Sequence, residues 1–568
     1  MSTAPLVSTR AVPWRVGPAE PTGFAVALAL LGAVLVAAPV LSVLTSFIQA
    51  PQSGATLAHL AQYVIPRASY ETLCLALLVG AGVAVLGTTS AWLVVAHEFP
   101  GRRMFEWAML LPLAMPGYIV AYAYTDFLQF AGPVQGGLRE LFGWQRTDYW
   151  FPEIRSLPGA AFVFTVVLYP YVYLLARTAF LGRTASMIDA ARCLGYTPWR
   201  TWLHVNLPLA RPAIAAGTLL ALMETLADYG AAAYFGLLTY TTAIYRAWFA
   251  LGDRMAASQL AAVLLIVVLG LMFAERRARG RARFFVAPQS NRPAPPTVLR
   301  GAPAWMATAA CCIPIALGFV LPVALLLRLF VPVADTVNWS RYLQWLQHSL
   351  LLGVGAAMLT VFAALLVAYA VRLATRGLAE RAARAAAAIM GLGYAVPGMV
   401  IAVGILVPLA GFDNLLDAAL RRAIGAGTGL LFTGTLIALL YALLVRYFAV
   451  AYQPIESGLS RITPAMDASA RSLGARPYEA FRRVHLPLLA PSVLAGALLV
   501  FVDTLKELPA TLVLRPFNFD TLAVIAYQLA ADERLGESAL PALTIVAAGI
   551  VPVIALSRAI GHAAQLAR

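Results

Sequence analysis

The sequence predicts an all-α, polytopic membrane protein with twelve transmembrane helices arranged as two parallel six-helix repeats. Three observations predict it. Of 568 residues, 61% are hydrophobic and 12% charged, with mean hydropathy +0.78; a water-soluble core of this length cannot hide so much apolar surface. Apolar stretches of about 20 residues, the length that crosses a hydrocarbon core, recur along the whole chain. A polar segment of the first half also returns 279 residues later, where Gly195, Pro198, Pro208, Pro212 and Gly217 are matched by Gly474, Pro477, Pro487, Pro491 and Gly496.

The predicted spans are 23–47, 70–96, 104–129, 158–179, 212–236 and 256–274, then 304–331, 346–371, 385–411, 428–452, 491–514 and 539–557. Six spans per half is an even number, so both halves share one orientation about a pseudo-two-fold axis along the membrane normal. The predicted organisation is an N-terminal segment 1–22, a first repeat 23–274, an Arg-rich linker 275–303, a second repeat 304–557 and a tail 558–568. Short cytoplasmic loops are enriched in Lys and Arg. The connector Glu275 to Arg300 carries seven arginines against one acid, which predicts that the linker, both termini and both copies of the polar segment are cytoplasmic. Arg10 and Arg15 agree with that orientation.

Several function classes are excluded at this level. The net charge of +15 is a topology signal, since no basic soluble domain exists to hold nucleic acid. The first apolar stretch is longer than a signal-peptide core and reads as an uncleaved span. Cys74, Cys193, Cys311 and Cys312 lack metal-ligand spacing and read as packing residues, and the six histidines form no catalytic pattern. Lys506 is the only lysine, is followed by Glu507 and has no phosphate-loop glycines before it. The chain is therefore expected not to hydrolyse ATP itself and to carry no cofactor, and any ATP hydrolysis is expected of another polypeptide.

The repeated segment reads as helix, sharp turn, helix. Ala190 and Ala191 are small enough for close contact with a foreign surface, and Gly195 suits the left-handed position that ends a helix. Thr197 offers an N-cap oxygen with Pro198 at the first helical position. A second short helix from Trp199 is expected to run to Leu207, where Pro208 and Pro212 break it. A plain connector between spans is the alternative reading, but it does not require glycines and prolines in one register in both halves.

These segments resemble the EAA loops of binding-protein-dependent ABC importer permeases, whose pattern is Glu-Ala-Ala, three residues, Gly, and later an apolar residue before Leu-Pro. The resemblance implies a type I importer permease fold and a first short helix that docks on a cytoplasmic ABC ATPase, in two copies. It implies coupling roles for Asp189, Ala190, Ala191, Gly195, Leu207 and Pro208 in loop 180–211. In loop 455–490 it implies them for Asp467, Ser469, Ala470, Gly474, Leu486 and Pro487. Ala468 stands where the acid is expected, and Asp467 supplies a carboxylate one position earlier, so the second loop is expected to differ in its charge contact.

After each loop, ionisable residues lie deep in an apolar run. Glu224 and Asp228 with Tyr229 in the first half are followed by Asp503, Lys506 and Glu507 in the second, and the offset of 279 relates Glu224 to Asp503 and Asp228 to Glu507. The i, i+4 spacing predicts that each acid pair shares one helix face. Charges at such depth ordinarily face a pathway; the alternative is a set of acids paired with Lys506, Arg515 or backbone that holds the halves together. Pro116-Gly117 and Pro397-Gly398 predict helix breaks in the third span of each half, with Tyr118, Tyr122 and Asp126 near the route; close helix packing at small residues is the other reading.

The stretch Glu224-Thr-Leu-Ala-Asp-Tyr-Gly230 through Ile244-Tyr-Arg-Ala-Trp-Phe249 resembles the first half of fused ferric-iron permeases. Lys506-Glu-Leu-Pro-Ala-Thr511 with Leu514-Arg-Pro-Phe-Asn-Phe-Asp520 resembles the second. This resemblance implies a multi-pass protein of the bacterial inner membrane that takes ferric iron from a periplasmic iron-binding protein. Hard cations favour carboxylate and phenolate oxygen, which suits four acids and Tyr229 without singling out iron. Related fused permeases for thiamine or phosphonates share the layout, and an ion-coupled secondary transporter or a membrane scaffold without transport are the alternatives from other classes.

Overall fold

The computed structural model describes residues 20–48, 56, 58–182, 185–279, 295–374, 377–425, 427, 429–474 and 477–566. Arg10, Arg15, Arg476 and most of the linker, 280–294, lie outside the described residues. Among those described, eleven helices are long and apolar enough to cross a membrane, and the bent pair Arg102–Ala114 with Gly117–Phe142 makes twelve. The spans run Gly23–Thr45, Leu60–Ala96, the bent pair, Leu157–Leu181, Pro198–Ala227 and Arg254–Ala274, then Ala302–Thr336, Trp339–Leu373, Gly398–Ile424, Leu436–Ser460, Tyr478–Leu505 and Leu535–Pro552.

Both predicted proline breaks are present. Pro116 and Pro397 have extended ψ values of 135° and 139°, and helices start at Gly117 and Gly398 directly after them. The bend in the first half reaches 89°. In the second half the third span begins only at Gly398, because residues 377–391 form a separate Ala-rich helix and Leu392–Ala395 a 3-10 turn. That corrects the expected span 385–411. A proline has no N–H to donate and forces its predecessor out of the helical region, so the chain turns before it.

The expected proline break inside the repeated segment is absent. Pro198–Ala227 is one helix through Pro208 and Pro212, and Tyr478–Leu505 is one helix through Pro487 and Pro491. A π-turn precedes the first of these prolines in each half, Trp202–Asn206 and Phe481–His485, where Leu207 N–H bonds to Trp202 O and Leu486 N–H to Phe481 O. The wider turn takes up the register that a proline without an N–H disturbs, so the helix continues.

The two repeats do not pack as separate bodies. One apolar core joins spans two to five of the first half to Ala304, Cys311, Leu326 and Ala539 to Val546 of the second. The other joins Ala29, Val36, Val43 and Ala256 to Val268 of the first half to spans two to five of the second. The first and sixth spans of each half therefore cross to the other half's core. Glycines permit the crossings: a Cβ on Gly404 would sit 2.3 Å from Pro39 O, and one on Gly318 would sit 2.2 Å from Val166 O. In a bilayer, helix association depends on such close approach, because lipid is as apolar as the side chains. The only strands among the described residues, His97–Glu98 and Thr297–Val298, pair in parallel and fasten the end of the linker to the second span.

Candidate functional site

The repeated loops come first. Ala185–Cys193 is a helix that ends through Tyr196 N–H to Ala191 O (3.0 Å) and Gly195 N–H to Arg192 O (2.9 Å), with Gly195 at φ +75°. Thr197 Oγ1 accepts from Arg200 N–H at 3.3 Å and Pro198 opens the next helix, as the residue types predict. In the second copy Pro464–Ser472 is the first helix, Gly474 has φ +81°, and Pro477 opens the next. Ala190 and Ser469 are exposed, whereas Ala191 and Ala470 face inward. Leu207 and Leu486 are half-buried, as is Pro208, while Pro487 is exposed.

Two exposed apolar pairs were not singled out from the sequence. Leu194 and Leu473 are 75% and 88% exposed, and Trp199 and Tyr478 are 65% and 69% exposed, each pair in the 279-residue register. A large apolar side chain at the tip of an otherwise polar loop is the kind of feature that marks an interaction surface. The register alone could have found them.

The acids of the two loops differ in kind. Asp189 is exposed and, among the described residues, pairs with Arg192, three residues on, at 3.5 Å. Asp467 is turned inward: its Oδ2 pairs with Arg372 Nη2 at 2.7 Å and its Oδ1 with His485 Nε2 at 2.7 Å. Arg372 also donates to Leu459 O and Ile462 O, so the second loop is braced to the second span of its own half. The expected outward carboxylate in the second loop is therefore an internal brace. Asp467→Asn removes the charge that a largely buried Arg372 pairs with, a loss of about 1.5–3 kcal/mol for a charged hydrogen bond. Amide exchange in residues 464–474 is expected to quicken by about ten-fold or more, since 1.4 kcal/mol is a factor of ten; unchanged protection would show that the brace lies elsewhere.

The ionisable residues of the spans converge at the boundary between the halves. Glu224, Asp228, Arg446, Asp503, Lys506 and Glu507 line one cavity of about 100 Å³. The helix-face expectation fails, however. The helix carrying Glu224 ends at Ala227, and Asp228 is extended at ψ 134°. Its Oδ1 accepts from Ala231 N–H (2.8 Å) and Ala232 N–H (3.3 Å), capping the short helix Gly230–Tyr234. Glu507 does the same in register: Ala510 N–H and Thr511 N–H each reach it at 2.8 Å, and Thr511 Oγ1 donates to its Oε2 at 2.5 Å, at the start of Pro509–Leu514. Backbone N–H groups at a helix start have no partners within the helix and attract a carboxylate. That demand overrode the i, i+4 pattern.

The remaining acids are less engaged. Glu224 Oε1 accepts from Tyr394 Oη–H across the halves at 3.2 Å, and Asp503 Oδ1 meets Lys506 Nζ at 2.9 Å. Tyr229 stands apart from the cavity lining, stacked near Tyr245 and 3.4 Å from Tyr527 Oη. Tyr118 lines the cavity, while Tyr122 packs on Tyr234 and Asp126 is not among the lining residues. Arg515 pairs with Asp520 and not with the acids of the cavity.

Arg446 was missed. It lies on Leu436–Ser460, 3.6 Å from Glu507 Oε1, with the Glu507 side chain fully buried. Its counterpart 279 residues earlier is Val167, so comparing the repeats for shared residues passed over it. A lone arginine inside an apolar span is itself a functional signal. Tyr171, Tyr394 and Tyr447 were missed for a different reason, because a tyrosine in a span reads as packing until its neighbours are known.

Comparison with known proteins places the chain in a family. The model described as binding-protein-dependent transport system inner membrane component matches residues 84–274 and again 373–565. The chain is similar to a Fe(3+)-transport system permease protein of Haemophilus influenzae, 24% identical over 86% of this chain and 89% of that protein. It is similar to a probable ABC transporter permease protein of Sinorhizobium fredii, 25% identical over 84% of each. A molybdenum transport system permease protein of Escherichia coli is 28% identical over 34% of this chain and 84% of its own length. With the family's domain present twice and the membrane-length helices that carry it, the chain belongs to the binding-protein-dependent transport system inner membrane components, as a fused two-half, multi-pass permease.

Proposed function

We propose that the chain is the permease of an ATP-driven importer that moves ferric iron from a periplasmic binding protein into the cytoplasm by alternating access. The observation that carries this reading is the convergence of Glu224 and Asp503, one from each half, on a cavity lined by four carboxylates and two basic side chains. Such a site attracts a hard, multiply charged cation through oxygen donors, and a boundary between two parallel repeats is where rocking halves change access. The full-length likeness to an Fe(3+)-transport permease supports the same cargo.

In this reading two copies of a separate ATPase dock on the loops around Gly195 and Gly474, and ATP is bound and hydrolysed only there. The loops, linker and both termini face the cytoplasm, and the binding protein approaches from the opposite side. Relatives named for molybdenum, sulfate and 2-aminoethylphosphonate transport resemble 26–37% of this chain. Arg446 and Lys506 would suit anionic cargo of that kind, but the excess of carboxylates in the cavity opposes it.

The test is uptake by vesicles containing the chain, its ATPase and its binding protein, supplied in parallel with labelled ferric iron, molybdate, thiamine or 2-aminoethylphosphonate. Iron uptake is expected to require ATP and the binding protein and to persist when the proton gradient is collapsed. Accumulation of another cargo in place of iron would replace the cargo assignment. Uptake that needs the proton gradient but not ATP would mark an ion-coupled secondary transporter.

A further inference from the structure

The four carboxylates of the cavity fall into two kinds. Asp228 and Glu507 are engaged by the backbone of the short helices they cap, and Glu507 also by Arg446. Glu224 and Asp503 are not. Glu224 receives one tyrosine hydroxyl, and Asp503 receives the Lys506 ammonium. Glu224 lines the same cavity as Asp503 and Lys506, so the ammonium shares that cavity with both acids that remain for cargo. It sits at the end of an unbranched side chain, 31% exposed, at a position where the first half has Ala227. Tyr118 Oη adds an oxygen to the same cavity: the residue is 4% exposed, and its hydroxyl has no hydrogen-bond partner among the described residues.

We propose that Lys506 is a tethered cation that holds the cargo position of the empty cavity and sets a valence threshold, so that a multiply charged hard cation displaces it and a monovalent cation does not. This rests on the cation-import reading above. The physics is an exchange. A tethered group acts at a high effective concentration, and replacing one unit charge with another gains no Coulomb energy. A trivalent ion between the same carboxylates gains about three times the attraction of the ammonium. Asp503 and Glu224 are then freed to bind it, with the unpaired Tyr118 oxygen and carboxylate oxygens as hard donors. Arg446 cannot take the part of Lys506, because it is held beside the fully buried Glu507.

The test uses the full chain in detergent, with terbium(III) luminescence as the probe of a hard trivalent cation and potassium as the competitor, against a bulky organic cation at equal ionic strength. In the wild-type chain terbium binds and potassium competes no better than the bulky cation. Lys506→Met and Lys506→Gln are expected to bind terbium at least ten-fold more tightly and to become sensitive to potassium, whereas Lys506→Arg keeps the wild-type pattern. Two neutral variants guard against a folding defect in one of them, and thermal melting reports on each. Unchanged terbium affinity with continued indifference to potassium in a folded neutral variant overturns the proposal.

Wild-type vesicles that import iron, combined with that unchanged result, defeat the threshold and leave the function intact. Wild-type chain that binds terbium, shows the predicted changes at Lys506 and imports no iron upholds the threshold and defeats the iron assignment.

Discussion

The double variant Glu224→Gln with Asp503→Asn is expected to lose ATP-driven iron uptake by about 100-fold or more, while its thermal melting stays close to that of the wild-type chain. A unit charge about 4 Å from a carboxylate gains about 4 kcal/mol at an effective dielectric constant of 20, and each 1.4 kcal/mol is a factor of ten. Even a modest fraction of that gain, lost at both sites, accounts for about two orders of magnitude. Stability is expected to change less than in the cap variant Glu507→Gln, because neither carboxylate caps a helix and Lys506, the cation left without Asp503, is 31% exposed whereas Arg446 is 11% exposed. The cap residues should behave in the opposite way. Glu507→Gln leaves Arg446 buried without its ion-pair partner, a change that costs about 3–5 kcal/mol, so its melting temperature should fall clearly. Radiolabel uptake and melting of the two variants side by side decide the matter: uptake within two-fold of wild type in the double variant removes Glu224 and Asp503 from the route.

The loops supply the second large effect. Gly195 and Gly474 have φ of +75° and +81°, and a Cβ at either would meet nothing within 4 Å. Any effect of substitution therefore comes from backbone strain and not from a clash. The left-handed region costs an ordinary residue about 1–2 kcal/mol, and β-branched residues are genuine outliers there. Gly195→Val with Gly474→Val should swing the helices Ala185–Cys193 and Pro464–Ser472 away from the turns that aim Leu194, Trp199, Leu473 and Tyr478 outward. Co-purification of the ATPase and ATP-driven uptake are each expected to drop more than ten-fold. The Asn variants should retain both, because asparagine tolerates this conformation. A Val variant that still captures the ATPase and couples hydrolysis to uptake at the wild-type ratio would falsify docking at these loops.

Much of this was legible from residue types alone. Hydropathy runs longer than a bilayer core announced the spans, and prolines at 116 and 397 announced the breaks that the structure contains. The Gly195, Thr197 and Pro198 series announced a turn whose capping bonds are present. Each of these signals is local: a proline or a left-handed glycine acts on its own backbone whatever lies beside it. Pro208 and Pro487 show the limit even of local signals, since a π-turn one step upstream let the helix run on. Asp467 shows another limit. Its position beside the motif suggested an outward contact, but Arg372, 95 residues away, turned it inward.

The sequence by itself determined an all-α membrane protein, a tandem duplication at 279 residues, and the pairing of Glu224 with Asp503 and Asp228 with Glu507. These follow from composition and register, which need no knowledge of neighbours. The tertiary structure alone decided that the first and sixth spans of each half join the other half's core, that Arg446 joins the acids, and that two of the four carboxylates cap helices while two remain with Lys506 and Tyr394. The physical reason is the same in each case. In a bilayer the gain from helix association depends on close fit and on satisfying buried polar groups, and both are properties of which surfaces meet. The repeat brought like acids to corresponding positions, and packing sorted them into two that cap short helices and two that line the cavity beside Tyr394 and Lys506.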